Sequence, residues 1–265
     1  MSEPNPPIPS STVLLLRDDA KAGLEVFMVV RHHQIDFASG ALVFPGGKAA
    51  PGDHDPKLRA RCHGAANLTD QQISLRTCAI REAFEECGVL LARKSGEDKL
   101  VGPDLIAKYD HWRPSLDRGE TGIMELLEEA DLFLALDVLV PYAHWVTPDM
   151  MPKRFDTHFY LAVAPDDQLA LHDGHEHVDS AWLNPTSAIK EMEEGKWTII
   201  FPTRLNLEKL GRASTTFDAV ARARADDIKT VTPELVKTDD GMMLRIRDDA
   251  GYATTEETME RAIPK

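Results

Sequence analysis

REAFEECGV, residues 81–89, decides how this 265-residue chain is read. Glu82, Glu85 and Glu86 stand at i, i+3 and i+4, so on a helix all three carboxylates leave one face. From Ser74 to Leu91 the apolar positions Leu75, Cys78, Ala79, Ala83, Phe84, Cys87 and Leu91 recur at threes and fours, which predicts that helix. Crowded carboxylates repel and raise one another's pKa, so a plain surface gains nothing from the trio. The ordinary alternative is a solvated acidic face. Against it stand the apolar stripe of Phe84 and Leu91 beside the carboxylates, and Gly88 where a side chain would crowd a neighbouring strand.

A hard divalent cation does gain from such a trio. Mg²⁺ takes a few carboxylates, keeps several waters and completes its shell with substrate phosphates. Arg81 is placed to grip a carboxylate with its planar fork and fix its rotamer. Upstream lies FPGGKAAPGD, residues 44–53, whose Gly46 and Gly47 can bring backbone amides close to an oxyanion. Between Asp53 and Arg81 run 27 residues, a polar stretch without an acidic helix face.

Taken together, Gly47-x5-Asp53 and Arg81-Glu82-Ala83-Phe84-Glu85-Glu86-Cys87-Gly88-Val89 resemble the two halves of the Nudix hydrolase signature. Asp53 stands where that signature has Glu, Ala83 is small at an apolar position, and the spacer exceeds the usual seven residues by 20. Arg61 falls at the usual spacing from Asp53, but Cys62 and His63 follow it, so it is a decoy. A long surface insertion is tolerable because loop-closure entropy grows only logarithmically with length. The resemblance implies an α/β (α+β) fold, a Nudix-type α/β/α sandwich with a mixed sheet plus helical insertions. It also implies Mg²⁺ or Mn²⁺ held by Glu82, Glu85 and Glu86, with Arg81 orienting them. Gly46, Gly47 and Lys48 would face the phosphates.

FMVVRHHQIDFASGALVFPGG, residues 27–47, resembles the upstream signature of the coenzyme A diphosphatase branch, with Arg31, Gly40 and Phe44–Gly47 in register and Asp36 replacing an arginine. The interrupted box and the later WVTP and RFDTHF (145–148 and 154–159) are similar to the peroxisomal acyl-CoA diphosphatase subgroup and its bacterial relatives. That resemblance implies coenzyme A or an acyl-CoA as substrate. ADP-ribose or a nucleotide sugar is the alternative, and a Nudix-fold sensor that binds without cleaving is the rival outside enzymes. Arg31 and Arg154 are the substrate-binding candidates among the cations; for Arg154, pairing with Asp156 is the competing reading. Trp145, Phe155 and Phe159 read as core. Glu176, in HDGHEHVDSAW before Trp182, sits where many Nudix enzymes supply a further glutamate, so it is a candidate metal ligand or base, with His175 and His177 behind it.

Net charge of −14 argues against a nucleic-acid grip and for a small phosphorylated ligand bridged by cations. Apolar and charged contents of 43% and 28% suit a globular chain, with no apolar run long enough for a membrane span. Cys62, Cys78 and Cys87, without a signal segment, read as reduced thiols in a cytoplasm. The expected organisation is a disordered lead-in at 1–10, a Nudix domain at 11–212 and a C-terminal helical and hairpin appendage at 213–265. The domain would carry insertions at about 54–73 and about 100–135. A homodimer is compatible with this plan.

Overall fold

The computed structural model describes residues 5–31, 40–165, 168, 177–238 and 241–262. In chain order its strands are β1 (Ile8–Asp19), β2 (Gly23–Arg31), β3 (Leu42–Val43), β4 (Gly46–Lys48), β5 (Cys62–His63), β6 (Ala92–Lys94), β7 (Leu132–Ala135), β8 (Val140–Val146), β9 (Phe155–Val163), β10 (His177–Leu183), β11 (Thr230–Val231), β12 (Glu234–Thr238), β13 (Gly241–Arg245) and β14 (Glu256–Thr258). The helices are α1 (Asp70–Cys87), α2 (Pro103–Tyr109), α3 (Arg113–Asp117), α4 (Ile123–Ala130), α5 (Pro185–Glu193), α6 (Phe201–Leu210), α7 (Thr216–Ala225) and α8 (Met259–Ala262).

The unbroken apolar run Val13–Leu16 marks a strand covered on both faces. Val13 and Leu15 pack with α1 and the insertions in one core, while Leu14 and Leu16 pack with α6 and α7 in the other. The main sheet runs β10-β2-β1-β9-β8-β11, with β3 added to β2 and β4 to β1. β1 pairs in parallel with β9, and β8 with β11, while the other pairings are antiparallel, so the sheet is mixed. This is the predicted sandwich.

Several boundaries differ from the sequence expectation, each for a local reason. β1 starts at Ile8, inside the expected lead-in, because Ile8 pairs with Phe155 and its amide donates to Arg154 O. α1 starts at Asp70 rather than Ser74. Thr69 Oγ1 accepts from Gln72 N while Gln72 Oε1 accepts from Thr69 N, a capping box that closes the first turn. It stops at Cys87 because Gly88 turns left-handed, at φ 68°. Gly88 is therefore a cap; the group nearest a Cβ there is the Arg113 guanidinium, at 3.2 Å, not a strand. α5 begins at Pro185, where Asn184 caps it by accepting from Thr186 N and Ser187 N.

The two insertions fold against each other. The first contributes β5, which pairs in parallel with β7 at the end of the second, and β6 completes a small sheet. Leu132–Ala135, expected to be helical, is thus a strand. Arg59 staples the first insertion through Ala65 O, Leu68 O and Asp70, and Leu58 is fully buried beneath it. Arg61 pairs with Asp131 at 2.8 Å, a structural role.

The C-terminal segment is built into the second core rather than standing off it. Leu244, Ile246, Tyr252 and Ala262 belong to the same apolar cluster as Trp145 and Phe201. Tyr252 Oη accepts from Trp145 Nε1 and donates to Asn206 Oδ1, at 2.9 and 2.8 Å. The sequence suggests a final hairpin within residues 241–252, but there only Gly241–Arg245 is a strand, β13, and it pairs with β12 on one side and β14 on the other.

Candidate active site

α1 and the β4 turn come together around one buried guanidinium. Arg81 Nε and Nη2 donate to Asp53 Oδ1 and Oδ2, each at 3.0 Å. Its Nη1 lies 2.7 Å from Glu85 Oε2 and 2.9 Å from Glu82 Oε1, and Nη2 also donates to Lys48 O at 2.9 Å. Asp53 in turn accepts from Ala50 N at 2.8 Å, which ties down the turn that carries the glycines. The two half-motifs are one unit across 27 intervening residues.

Each glycine of the turn has its own reason. Gly46 N donates to Glu86 Oε2 at 2.9 Å, and a Cβ on Gly46 would sit 2.4 Å from Ser11 O. A Cβ on Gly47 would meet the Glu82 carboxylate at 2.5 Å. The turn is held to α1 from the other side by Ser11 Oγ, which donates to Leu75 O at 2.6 Å, and by Cys78 Sγ beside Gly47 O. Burial pushes the Cys78 thiol well up, so it fills space here rather than reacting.

Glu82, Glu85 and Glu86 are all buried, although carboxylates seldom are. Burial first, reinforced by Glu82 and Asp117 against the pull of Arg81, pushes the Glu85 carboxyl up to about 8. Burial works against the Arg81 charge, yet Glu82 and Asp53 outweigh it and hold the guanidinium protonated. Glu85 Oε1 is buried without a hydrogen-bond partner among the described residues. A buried carboxyl oxygen without a partner, beside two further carboxyl groups, is what a hard divalent cation satisfies once it displaces the proton, so these residues fit Mg²⁺ or Mn²⁺.

Lys48 is exposed at the rim, while its carbonyl serves Arg81. Arg31 ends β2, and its Nε is buried without a partner among the described residues. Arg154 is a correction. It is buried, donates to Thr147 O and Asn5 O, and pairs with Asp149 at 2.5 Å, so its fork is spent holding the β8–β9 connection. It pairs with neither Asp156 nor a free ligand surface. Glu176 and His175 lie outside the described residues. Trp145 and Phe159 are core, as expected.

Arg113 went unread in the sequence. Its Nε donates to Glu85 O at 3.0 Å and its Nη2 is a buried donor without a partner among the described residues. It arrives on α3, within the helical insertion, and no motif there signals it. Gly52 and Gly122 are a second silent contact: a Cβ on Gly52 would meet Gly122 Cα at 3.1 Å, so α4 docks directly on the turn before Asp53.

This sandwich, with a glycine turn seated on a carboxylate helix, is that of the Nudix proteins. A crystal structure of a Nudix hydrolase from Alicyclobacillus acidocaldarius matches at a TM-score of 0.69 and 26% identity, over 82% of this chain and 96% of that one. The profile of the NUDT19 Nudix domain matches residues 54–210, more than half of the chain, and the chain belongs to that family. Among curated relatives, the acyl-coenzyme A diphosphatase NUDT19 of Xenopus laevis is 23% identical over 70% of this chain and 59% of its own length. The human protein of that name is 25% identical over 72% and 54%, and putative nudix hydrolase 7 of Caenorhabditis elegans 26% over 72% and 57%. The chain thus spans just over half the length of the curated relatives it matches. Among the described residues, no helix is long and apolar enough to cross a membrane.

Proposed function

We propose that this protein is a metal-dependent diphosphatase that cleaves the diphosphate linkage of a nucleoside diphosphate derivative, with coenzyme A or an acyl-CoA as substrate. One observation carries the reading: three buried carboxylates and an unpaired Glu85 oxygen face a glycine turn that can admit a phosphate. A sensor that only binds would have no use for the intact trio. The relatives named as acyl-coenzyme A diphosphatases support the substrate class.

Glu82, Glu85 and Glu86 would hold Mg²⁺ or Mn²⁺, which when bound supplies Lewis-acid polarisation of the phosphate oxygens. Arg81 fixes the carboxylates from behind and touches no substrate. Gly46 and Gly47 keep side chains out of the approach to the trio, and Lys48 offers a cation at its rim for a phosphate. Arg31 has a donor to spare for the ligand. Water attacks phosphorus, a glutamate takes its proton, and the P–O–P bridge breaks to leave two phosphate monoesters. Glu176 is proposed as the further glutamate serving that step. From coenzyme A the products would be a 3′,5′-phosphorylated adenosine and phosphopantetheine.

The domain that does this is proposed to be 11–212, completed by the start of β1 at Ile8 and by β11 and the C-terminal residues packed into the second core, with its two insertions forming one flank. A reducing, cytoplasmic setting is proposed from the low cysteine content of the chain, three residues in 265.

The test is a panel of coenzyme A, acyl-CoAs, ADP-ribose and NADH with Mg²⁺ or Mn²⁺, products separated by chromatography. Coenzyme A or an acyl-CoA should be cleaved fastest, and Glu85→Gln and Glu86→Gln should each abolish most of the turnover. Full metal-dependent turnover in both variants would overturn the mechanism. Faster cleavage of ADP-ribose would overturn the substrate assignment alone.

A further inference from the structure

Beside the N-terminal half of α1, the main sheet gathers a second set of metal-ligating groups that the diphosphatase chemistry does not use. His144 on β8 and His158 on β9 are cross-strand partners, so their side chains leave the same face of the pair. Asp156 stands two residues earlier on β9 and shares that face. The imidazole rings stack with centroids 4.0 Å apart and planes 20° from parallel. Both turn towards one carboxylate oxygen: Asp156 Oδ1 lies 2.5 Å from His144 Nε2 and 3.7 Å from His158 Nε2. One ligand atom from each of the three lies within 4.8 Å of the others.

We propose that His144, His158 and Asp156 form a second cation site, for a transition-metal ion of the zinc type. Two imidazoles and a carboxylate are the donors that Zn²⁺ takes, whereas Mg²⁺ and Mn²⁺ prefer the all-oxygen trio of α1. Tetrahedral ligands at about 2.0–2.1 Å from Zn²⁺ lie roughly 3.4 Å from one another. That spacing falls between the two distances already present, and the stacked rings must turn apart to aim both nitrogens at one ion. All three side chains remain partly exposed, which leaves an entry path and a position for water.

The surroundings support ligation. The other nitrogen of His144, Nδ1, lies 2.8 Å from Thr230 Oγ1 on β11, an outer contact that orients the ring and leaves Nε2 to face the ion. Asp156 supplies the one formal negative charge. Arg76 is the opposing cation nearby, engaged over the Tyr160 ring at 5.1 Å, and it keeps the affinity moderate. Ser11, the strand partner of His158, donates to Leu75 O, and Leu75 precedes Glu82 by seven residues, about 10 Å along a helix axis, so the two sites are separate. An ion held here would bridge β8 to β9 and, through Thr230, to β11.

The experiment uses the full chain, stripped with chelator and then equilibrated with Zn²⁺ while Mg²⁺ is in large excess, with bound zinc counted after dialysis. One equivalent should be retained. His144→Ala and His158→Ala should each lose it while keeping Mg²⁺-dependent hydrolysis, and Thr230→Val should weaken it about tenfold. Co²⁺ substituted into the unaltered protein should give visible bands without the thiolate charge-transfer absorption a cysteine ligand would add. Zinc binding unchanged in both histidine variants overturns the proposal. So does its loss in Glu85→Gln instead, a thiolate band, or no retained zinc. Should the histidine variants not fold, histidine ring NMR signals of the unaltered protein must shift on Zn²⁺ addition; unshifted signals are equally fatal.

Discussion

Removing Asp53 tests whether the two halves of the site are one physical unit. Asp53→Ala deletes the charge-assisted hydrogen bonds from Arg81 Nε and Nη2 and the acceptor for Ala50 N. Bonds to charged groups contribute about 1.5–3 kcal/mol each, and removing one partner of a buried ion pair costs about 3–5 kcal/mol because the other is left uncompensated. Glu82 and Glu85 still neutralise Arg81 in part, which keeps the loss within that range rather than at the sum. Against a total stability of roughly 5–15 kcal/mol this is severe. For a chain of this size it lowers Tm by roughly 6–20 °C. Asp53→Asn, which keeps shape and loses charge, should fall at about 1–3 kcal/mol. Urea denaturation followed by circular dichroism gives both values from the midpoints. The exposed pair Lys57–Glu128 is the control, with Lys57→Ala expected within about 0.5 kcal/mol. If Asp53→Ala costs no more than that control, the guanidinium is not the buried hub described above.

The remaining predictions concern the turn, the pH response and the C-terminal segment. Gly46→Ala drives a methyl group into the Ser11 backbone and should cost about 1–3 kcal/mol, whereas for Gly47→Ala the three nearest atoms all belong to the Glu82 carboxylate, the end of a flexible side chain, so it should lower Tm less while weakening Mg²⁺ activation. Equal effects of the two on Tm would contradict the geometry. In metal-free protein the raised Glu85 pKa favours the folded state below the ordinary 4.5, and that contribution is lost as pH rises towards about 8. A cation must displace that proton, so Mg²⁺ affinity should climb between pH 6 and pH 8 with measurable proton release; flat calorimetric affinity would refute this. Glu257 pairs with Arg204 at 2.6 Å, both buried, so Glu257→Ala should cost about 3–5 kcal/mol and lower the melting of the whole protein. Fraying of β12–β14 alone, seen by hydrogen exchange, would mean that this segment is stabilised separately.

Local chemistry wrote the acidic face of α1 plainly into the chain. The i, i+3, i+4 spacing of Glu82, Glu85 and Glu86 fixes their direction as soon as a helix forms. Gly46 and Gly47 announce close approach, and Asn184-Pro185 announces a helix start, because those requirements are met within a few residues. The continuous run Val13–Leu16 likewise demanded a strand covered on both sides. Contacts made across sequence distance left no such mark. Nothing in residues 54–69 or 102–135 shows that two insertions pair through β5 and β7, or that Arg113 reaches Glu85, since strand pairing and ion pairing depend on where chains meet. For Arg154 the residue type was informative and its partner was not: folding brought Asp149, Thr147 and Asn5 to it before any ligand could. His144 and His158 stand 14 residues apart and face each other only through strand register. Side-chain direction along one element is local and can be read; partnership between elements is settled by packing.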